Sequence, residues 1–201
     1  MVAWQLPAAD VPAPGPAGVP APPPGPADPA TEWALAARDG DPVAQAAFVR
    51  ATQAEVWRFV AALIDPGAAD DLTQETYLRA FRALPDFAGR STARTWLLGI
   101  ARRTCADHLR ALTRRRRLFD RLVGAAATSA PAPDPAGGYS SADLLRRLPE
   151  DRRSAFTLTQ VLGLSYAEAA SVEGVPVGTI RSRVARARIH LVAAHAEAIA
   201  S

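Results

Sequence analysis

The sequence predicts an all-α protein built as two small helical domains joined by a flexible linker. Apolar residues recur at helical spacing through residues 41–112 and again through 141–201. No stretch alternates apolar and polar residues with the β-branched enrichment a strand needs. A segment rich in Ala, Pro and Gly separates the two periodic blocks, as at a domain boundary.

Residues 1–30 hold ten of the eighteen prolines and read as a disordered tail, because they cannot bury enough apolar surface to offset ordering entropy. Trp4 is the one residue there able to dock elsewhere. Order is expected from about Thr31, giving a first domain over 31–112. Asp41-Pro42 predicts an N-cap followed by proline in the first turn. Val49, Val56, Trp57, Val60, Leu63 and Ile64 then mark the stripe of one helix, which Asp65-Pro66-Gly67 ends. A second helix, from about Ala69 to Leu84, turns Leu72, Thr76, Tyr77, Ala80 and Leu84 inward and stops at Pro85. After a loop, a third helix spans roughly Thr92 to Leu112. Its stripe is Leu97, Ile100, Ala101, Thr104, Cys105, His108 and Leu109.

Residues 113–140 read as the linker, opening with Arg114-Arg115-Arg116-Arg117. The second domain covers 141–201. Leu144, Leu145 and Leu148 precede Pro149, and a helix with Ala155, Leu158, Thr159 and Leu162 inward closes at Gly163. Ser165 and Glu168 form a capping box that opens a short helix ending at Gly174. Pro176 starts the last helix, with Val177, Ile180, Val184, Ala187 and Leu191 as its seam.

Composition excludes several classes. One Cys rules out a disulfide framework and leaves too few thiols for a structural zinc site. No apolar run approaches the roughly 18 residues of a membrane span, and no basic-then-apolar leader is visible. Cytoplasmic residence without membrane insertion is the expectation. No nucleophile–base pair, Gly-rich phosphate loop or ligand cluster stands out. His108 and Cys105 share the buried stripe, so no metal, cofactor or catalytic residue is expected.

The short helix, Gly174 and the last helix make a helix-turn-helix pattern, in which small Ala169 lets the two helices cross closely. Its outer face carries Arg181, Ser182, Arg183, Arg186, Arg188 and His190, with no acid before Glu197. Arginine bonds phosphates and guanine edges, so this face suits the major groove. Gly178 and Thr179 at the helix start offer backbone amides to a phosphate. In the first domain, Arg94, Arg102, Arg103 and Arg110 lie opposite the apolar stripe, with Trp96 nearby and Gly99 permitting close approach. Phe87, Arg90 and Ser91 lie just upstream. Basic residues interleaved with aromatics suit single-stranded nucleic acid, although Trp96 reads equally as a packing residue. Asp71, Gln74, Glu75 and Leu78 share the outer face of the second helix. They read as a helix-binding surface or as a plain solvated face.

Asp70–Arg82 (DDLTQETYLRAFR) and Phe87–Arg102 (FAGRSTARTWLLGIAR) resemble region 2 of the extracytoplasmic-function (ECF) sigma factors. Leu148–Arg152 (LPEDR), Gly163–Ala170 (GLSYAEAA) and Pro176–Arg188 (PVGTIRSRVARAR) resemble their region 4. Val56–Ala61 (VWRFVA) is similar to the actinobacterial sigma-C-like group. The resemblance implies a subunit that binds core RNA polymerase and directs it to promoter DNA. Asp71, Gln74, Glu75 and Leu78 would meet the clamp helices of the largest subunit. Phe87, Arg90, Ser91, Arg94, Trp96, Arg102, Arg103 and Arg110 would engage the −10 element, where a base is flipped and melting starts. Thr179, Arg181, Ser182, Arg183, Arg186 and Arg188 would read the −35 element. The helix from Arg152 to Leu162 would meet the flap of the second-largest subunit, and Arg114–Arg117 would track nucleic acid. An anti-sigma protein is a further expected partner. The alternative is a stand-alone helix-turn-helix transcriptional regulator.

The formal charge of +3 conceals an uneven distribution. Residues 1–75 carry 3 Arg against 10 acids, whereas 76–130 carry 12 Arg against 3. The acidic block covers the expected polymerase-facing helix and the basic block the expected DNA elements, so low net charge does not argue against nucleic acid.

Overall fold

An aspartate–proline pair opens each of the first three helices. In a computed structural model, which describes residues 28–123 and 141–200, these are α1 (Pro29–Arg38), α2 (Pro42–Leu63) and α3 (Pro66–Ala83). Asp28, Asp41 and Asp65 each accept a backbone N–H of the first turn. The proline sits where a missing N–H does no harm. Of the tail expected over residues 1–30, residues 1–27 lie outside the described residues, whereas Asp28 caps α1 and Pro29 and Ala30 begin it, so order starts a few residues earlier than expected.

Helix α2 supplies the centre of the first core with Phe48, Thr52, Val56, Phe59, Val60 and Leu63. Trp57, expected on that stripe, lies on the outside instead. Val56 takes the inward position, and the Trp57 indole N–H donates to Asp70 Oδ1 at 2.8 Å. Leu72, Thr76, Tyr77 and Ala80 of α3 and the following Leu84 are buried as the periodicity requires. Tyr77 and Thr52 share a 2.7 Å hydroxyl contact, and burial pushes the phenol to about 12.

After a 3₁₀ turn at Leu84–Asp86, α4 runs from Ala93 to Val123. It buries Leu97, Leu98, Ile100, Ala101, Thr104 and Cys105, while His108 and Leu109 sit at the boundary. It does not stop near Leu112 but continues through Arg114–Arg117. Beyond Leu112 no Gly or Pro comes before Gly124, and Arg, Leu and Ala are strong helix formers. The expected linker therefore begins as helix, and residues 124–140 lie outside the described residues.

The second group comprises α5 (Ser141–Arg146), α6 (Glu150–Phe156), α7 (Tyr166–Glu173) and α8 (Val177–Ala200). A π-helical turn over Thr157–Val161 follows α6 where one continuous α-helix was expected. The Ser165–Glu168 capping box forms, and Gly174 ends α7 at φ +65°. Few residues other than glycine adopt that backbone region. Ile180, Val184 and Ala187 of α8 are buried against the buried Ala169, Ala170 and Val172 of α7. Val177 is exposed and Leu191 half-buried, so the expected seam is shorter at both ends.

The two groups meet. α7 packs on α4, and α5 and α6 pack on α2. One apolar cluster extends from Phe48 and Phe59 to Leu158, Leu164, Ile180 and Val184. Arg153 of α6 donates to Leu63 O at 2.8 Å, capping the last turn of α2, and to Leu148 O at 2.9 Å. Its burial pushes the guanidinium pKa down.

Candidate nucleic-acid and polymerase interfaces

Helix α8 is held by its buried seam, and the opposite face stands in solvent. Arg181, Ser182, Arg186 and Arg188 are exposed there, and Thr179 is half-buried. A side chain added at Gly178 would meet nothing within 4 Å, so the helix start is open to an approaching backbone. Arg188 donates to Gln160 Oε1 at 2.7 Å, and the Ser182 hydroxyl to Thr179 O at 2.9 Å.

Arg183 differs from its neighbours. Only 21% exposed, it lies 3.3 Å from Asp151 and 3.3 Å from Glu173, whose carboxylate is 3% exposed and also accepts from Ser154. Arg183 thus ties α8 to α6 and α7.

The first-domain set divides as well. Phe87 is buried and packs on half-buried Trp96, with ring centroids 4.9 Å apart. The two rings pack on each other in the free chain, with exposed Arg90 and Ser91 in the loop beside them. Arg94 grips Glu55 with Nε at 2.8 and 2.9 Å from its two oxygens and also donates to Leu162 O of the second group. The carboxylate holds this guanidinium's pKa above its ordinary value. Arg102 reaches Glu150 at 2.8 Å and Glu173 at 3.0 Å, both in the second group. Arg103 and Arg110 are exposed. A side chain added at Gly99 would meet nothing within 4 Å, so no other element uses the close approach expected there.

On α3, Asp71, Gln74 and Leu78 are exposed, and half-buried Glu75 accepts from Arg79 Nε at 2.7 Å. Arg79 continues to Asp107 of α4 at 2.6 Å, and Asp107 pairs with Arg110. Beside this face lies an open groove of about 440 Å³ between α2 and α3, which sequence reasoning missed. Gln53, Trp57, Asp70, Thr73 and Gln74 line it, and Thr73 Oγ1 is buried without a partner. An outward Trp57 was the missing signal, and its apolar character pointed the other way.

Burial pushes the Cys105 thiol to about 12, which leaves it protonated at neutral pH. Among the described residues no cluster of His, Cys, Asp and Glu fits a metal ion, and no helix is long and apolar enough to cross a membrane.

A helix-turn-helix with an acid-free outer face, packed on a helical domain whose α3 presents an outward acid–amide–leucine face, fits the two-region plan of sigma-70-type sigma factors. Residues 48–115 match Sigma-70 region 2 and residues 142–191 match Sigma-70, region 4. The chain belongs to this family, in its ECF branch and similar to the sigma-C factors, and is an RNA polymerase sigma factor. It is 52% identical over 168 residues to the probable RNA polymerase sigma-C factor of Mycobacterium bovis, covering 81% of this chain and 89% of that one. It is 37% identical over 143 residues to the RNA polymerase sigma-H factor of Pseudomonas aeruginosa, covering 62% and 71%. The structure of CnrH in complex with the cytosolic domain of CnrY superposes with a TM-score of 0.65 at 27% identity, over 85% of this chain and 99% of that one. RpoE of Bartonella quintana, in complex with the anti-sigma factor NepR, gives 0.58 at 29% identity, over 71% and 91%.

Proposed function

We propose that this sigma factor acts as a dissociable, non-catalytic subunit in the cytoplasm, binding core RNA polymerase and selecting promoters through two DNA elements. The observation that carries the reading is the outer face of α8, where Arg181, Ser182, Arg186 and Arg188 project without an acid among them. These residues, with Thr179, read the −35 element. Arg183 contributes by holding the recognition helix in place.

The loop at Arg90 and Ser91 and the α4 residues Trp96, Arg103 and Arg110 engage the −10 element. Arg102 joins them only once the seam between the domains opens, because Glu150 and Glu173 of the second group now occupy it, and Arg94 must in addition leave Glu55 of its own domain. Asp71, Gln74, Glu75 and Leu78, flanked by Trp57, face the polymerase clamp, and α6 faces the flap. The likeness to two sigma factors solved as complexes supports an anti-sigma protein as a further partner.

Run-off transcription with core polymerase on a genomic fragment library tests this. Promoter-specific starts should depend on the chain, and their absence would sink the reading. Glu75→Arg should reduce co-purification with core polymerase at unchanged helix content; full co-purification would remove the clamp assignment.

A further inference from the structure

The exposed second half of α4 sorts its arginines by face. At 3.6 residues per turn, Arg103, Arg110, Arg114, Arg117 and Arg121 fall within a sector of about 60°. Arg115 and Arg116 point at least about 120° away from its centre, and Leu112 and Phe119 lie on the far side. All five stripe arginines are exposed, as is every residue from Arg110 to Leu122. Asp107 is the one acid within the stripe, and it is already taken by Arg79 and Arg110. Among the described residues no carboxylate pairs with Arg103, Arg114, Arg117 or Arg121. The stripe borders an open groove of about 500 Å³ lined by Arg110, Thr113, Arg114, Arg117 and Glu150.

We propose that these five arginines form a phosphate rail, in which Arg103 and Arg110 meet the −10 element and Arg114, Arg117 and Arg121 hold the promoter duplex between the −10 and −35 elements. This rests on the promoter-selecting reading above and goes beyond it. It brings in Arg121, sets Arg115 and Arg116 aside, and names the duplex as the ligand. The helix makes the rail straight and stiff. From Arg103 to Arg121 it is about 27 Å long at 1.5 Å per residue. Phosphates of one duplex strand follow every 3.4 Å or so along the axis, so the rail spans about eight of them.

A single strand is held by charge together with stacking rings. This stripe has no ring, since Phe119 is on the opposite side. An anionic bilayer would have to meet the face of Leu112, Phe119 and Leu122, which would turn the stripe away from the lipid. The chain also dictates the direction. The first half of α4 carries the proposed −10 residues, and the path beyond Val123 leads to the helix-turn-helix. Both elements lie on one DNA molecule, so the duplex joining them runs beside this helix.

The test is the salt dependence of promoter binding by holoenzyme assembled from core polymerase and the full chain. Each phosphate contact contributes about 0.9 to the slope of log K against log salt on duplex DNA. The variant R114Q/R117Q/R121Q should lower that slope by about 2–3, whereas R115Q/R116Q should leave it unchanged. On a fork template that ends upstream at the −10 element, without spacer duplex, the two variants and the parent should coincide.

An equal loss of slope in R115Q/R116Q would reduce the rail to diffuse charge and overturn it. A loss that persists on the fork template would place the contact on single-stranded nucleic acid and overturn it too. Normal promoter-specific initiation with an unchanged slope in the triple variant defeats the rail alone. Failure of the unsubstituted chain to direct any initiation defeats the promoter reading as well. Glutamine keeps helix propensity at these exposed positions, so an intact fold is expected throughout.

Discussion

Arg181, Arg183 and Arg186 stand on one helix and are chemically identical in the sequence. Their surroundings separate them. Arg181 and Arg186 are exposed, while Arg183 is drawn between Asp151 and the buried carboxylate of Glu173. Substituting an exposed arginine removes only what it touches in the complex, whereas substituting Arg183 loosens the module itself. Arg181→Ala and Arg186→Ala should therefore each weaken −35-dependent promoter binding by about 1–3 kcal/mol per lost bidentate contact, at unchanged melting temperature. Arg183→Ala should lower the melting temperature of the free chain, because Glu173 loses a partner while staying buried. Calorimetry of the three variants beside promoter titration decides it. A fully stable Arg183→Ala chain with weakened −35 binding would return this residue to the reading face. Nothing in the sequence separated the three, since the spacing gives a face but not the acids contributed by other helices.

The elements themselves were legible where the signal was local. The Asp41-Pro42 start, the Ser165–Glu168 box and the Gly174 stop all depend on a few adjacent residues, and all form, whereas Asp65-Pro66, read as a helix end, also opens α3. What escaped was the continuation of α4, because a run of four arginines resembles a solvated linker until its helix propensity is weighed. The ladder Glu75–Arg79–Asp107–Arg110, which joins α3 to α4, also escaped, being a matter of tertiary register. Its pH behaviour follows from Asp107, whose carboxyl Arg79, with help from Arg110, holds below the ordinary carboxylate range. A depressed folded pKa means stability that is present above the unfolded value, about 3.9, and lost as pH falls through the folded one. Asp107→Asn should thus lower stability in urea at pH 6, and the deficit should shrink as the pH is lowered to 3 and below. An equal deficit at both ends would show that packing, not charge, is what the substitution disturbs.

At the scale of the whole molecule, the sequence indicated two helical blocks but not that they close on each other. The seam brings residues distant in the chain together, Arg102 with Glu150 and Glu173, and Arg153 with Leu63 O. No periodicity records such pairs. Arg102 is the residue on which closure can be tested most cleanly. Its guanidinium is 19% exposed and serves two carboxylates of the second group. Glu173 would keep Ser154 and Arg183 if Arg102 were removed, so the helix-turn-helix retains its internal ties. Arg102→Ala should therefore shift the free chain toward separated domains by about 1.5–3 kcal/mol, the range of hydrogen bonds to charged groups, without loss of helix. Small-angle scattering should report a larger radius of gyration, and hydrogen exchange should quicken around Leu162–Leu164, which face the seam. Arg103→Ala, one residue along and exposed, should change neither. If the Arg102 variant stays as closed as its parent, the shared apolar cluster holds the domains by itself, and opening must be driven by a partner rather than by release of this arginine.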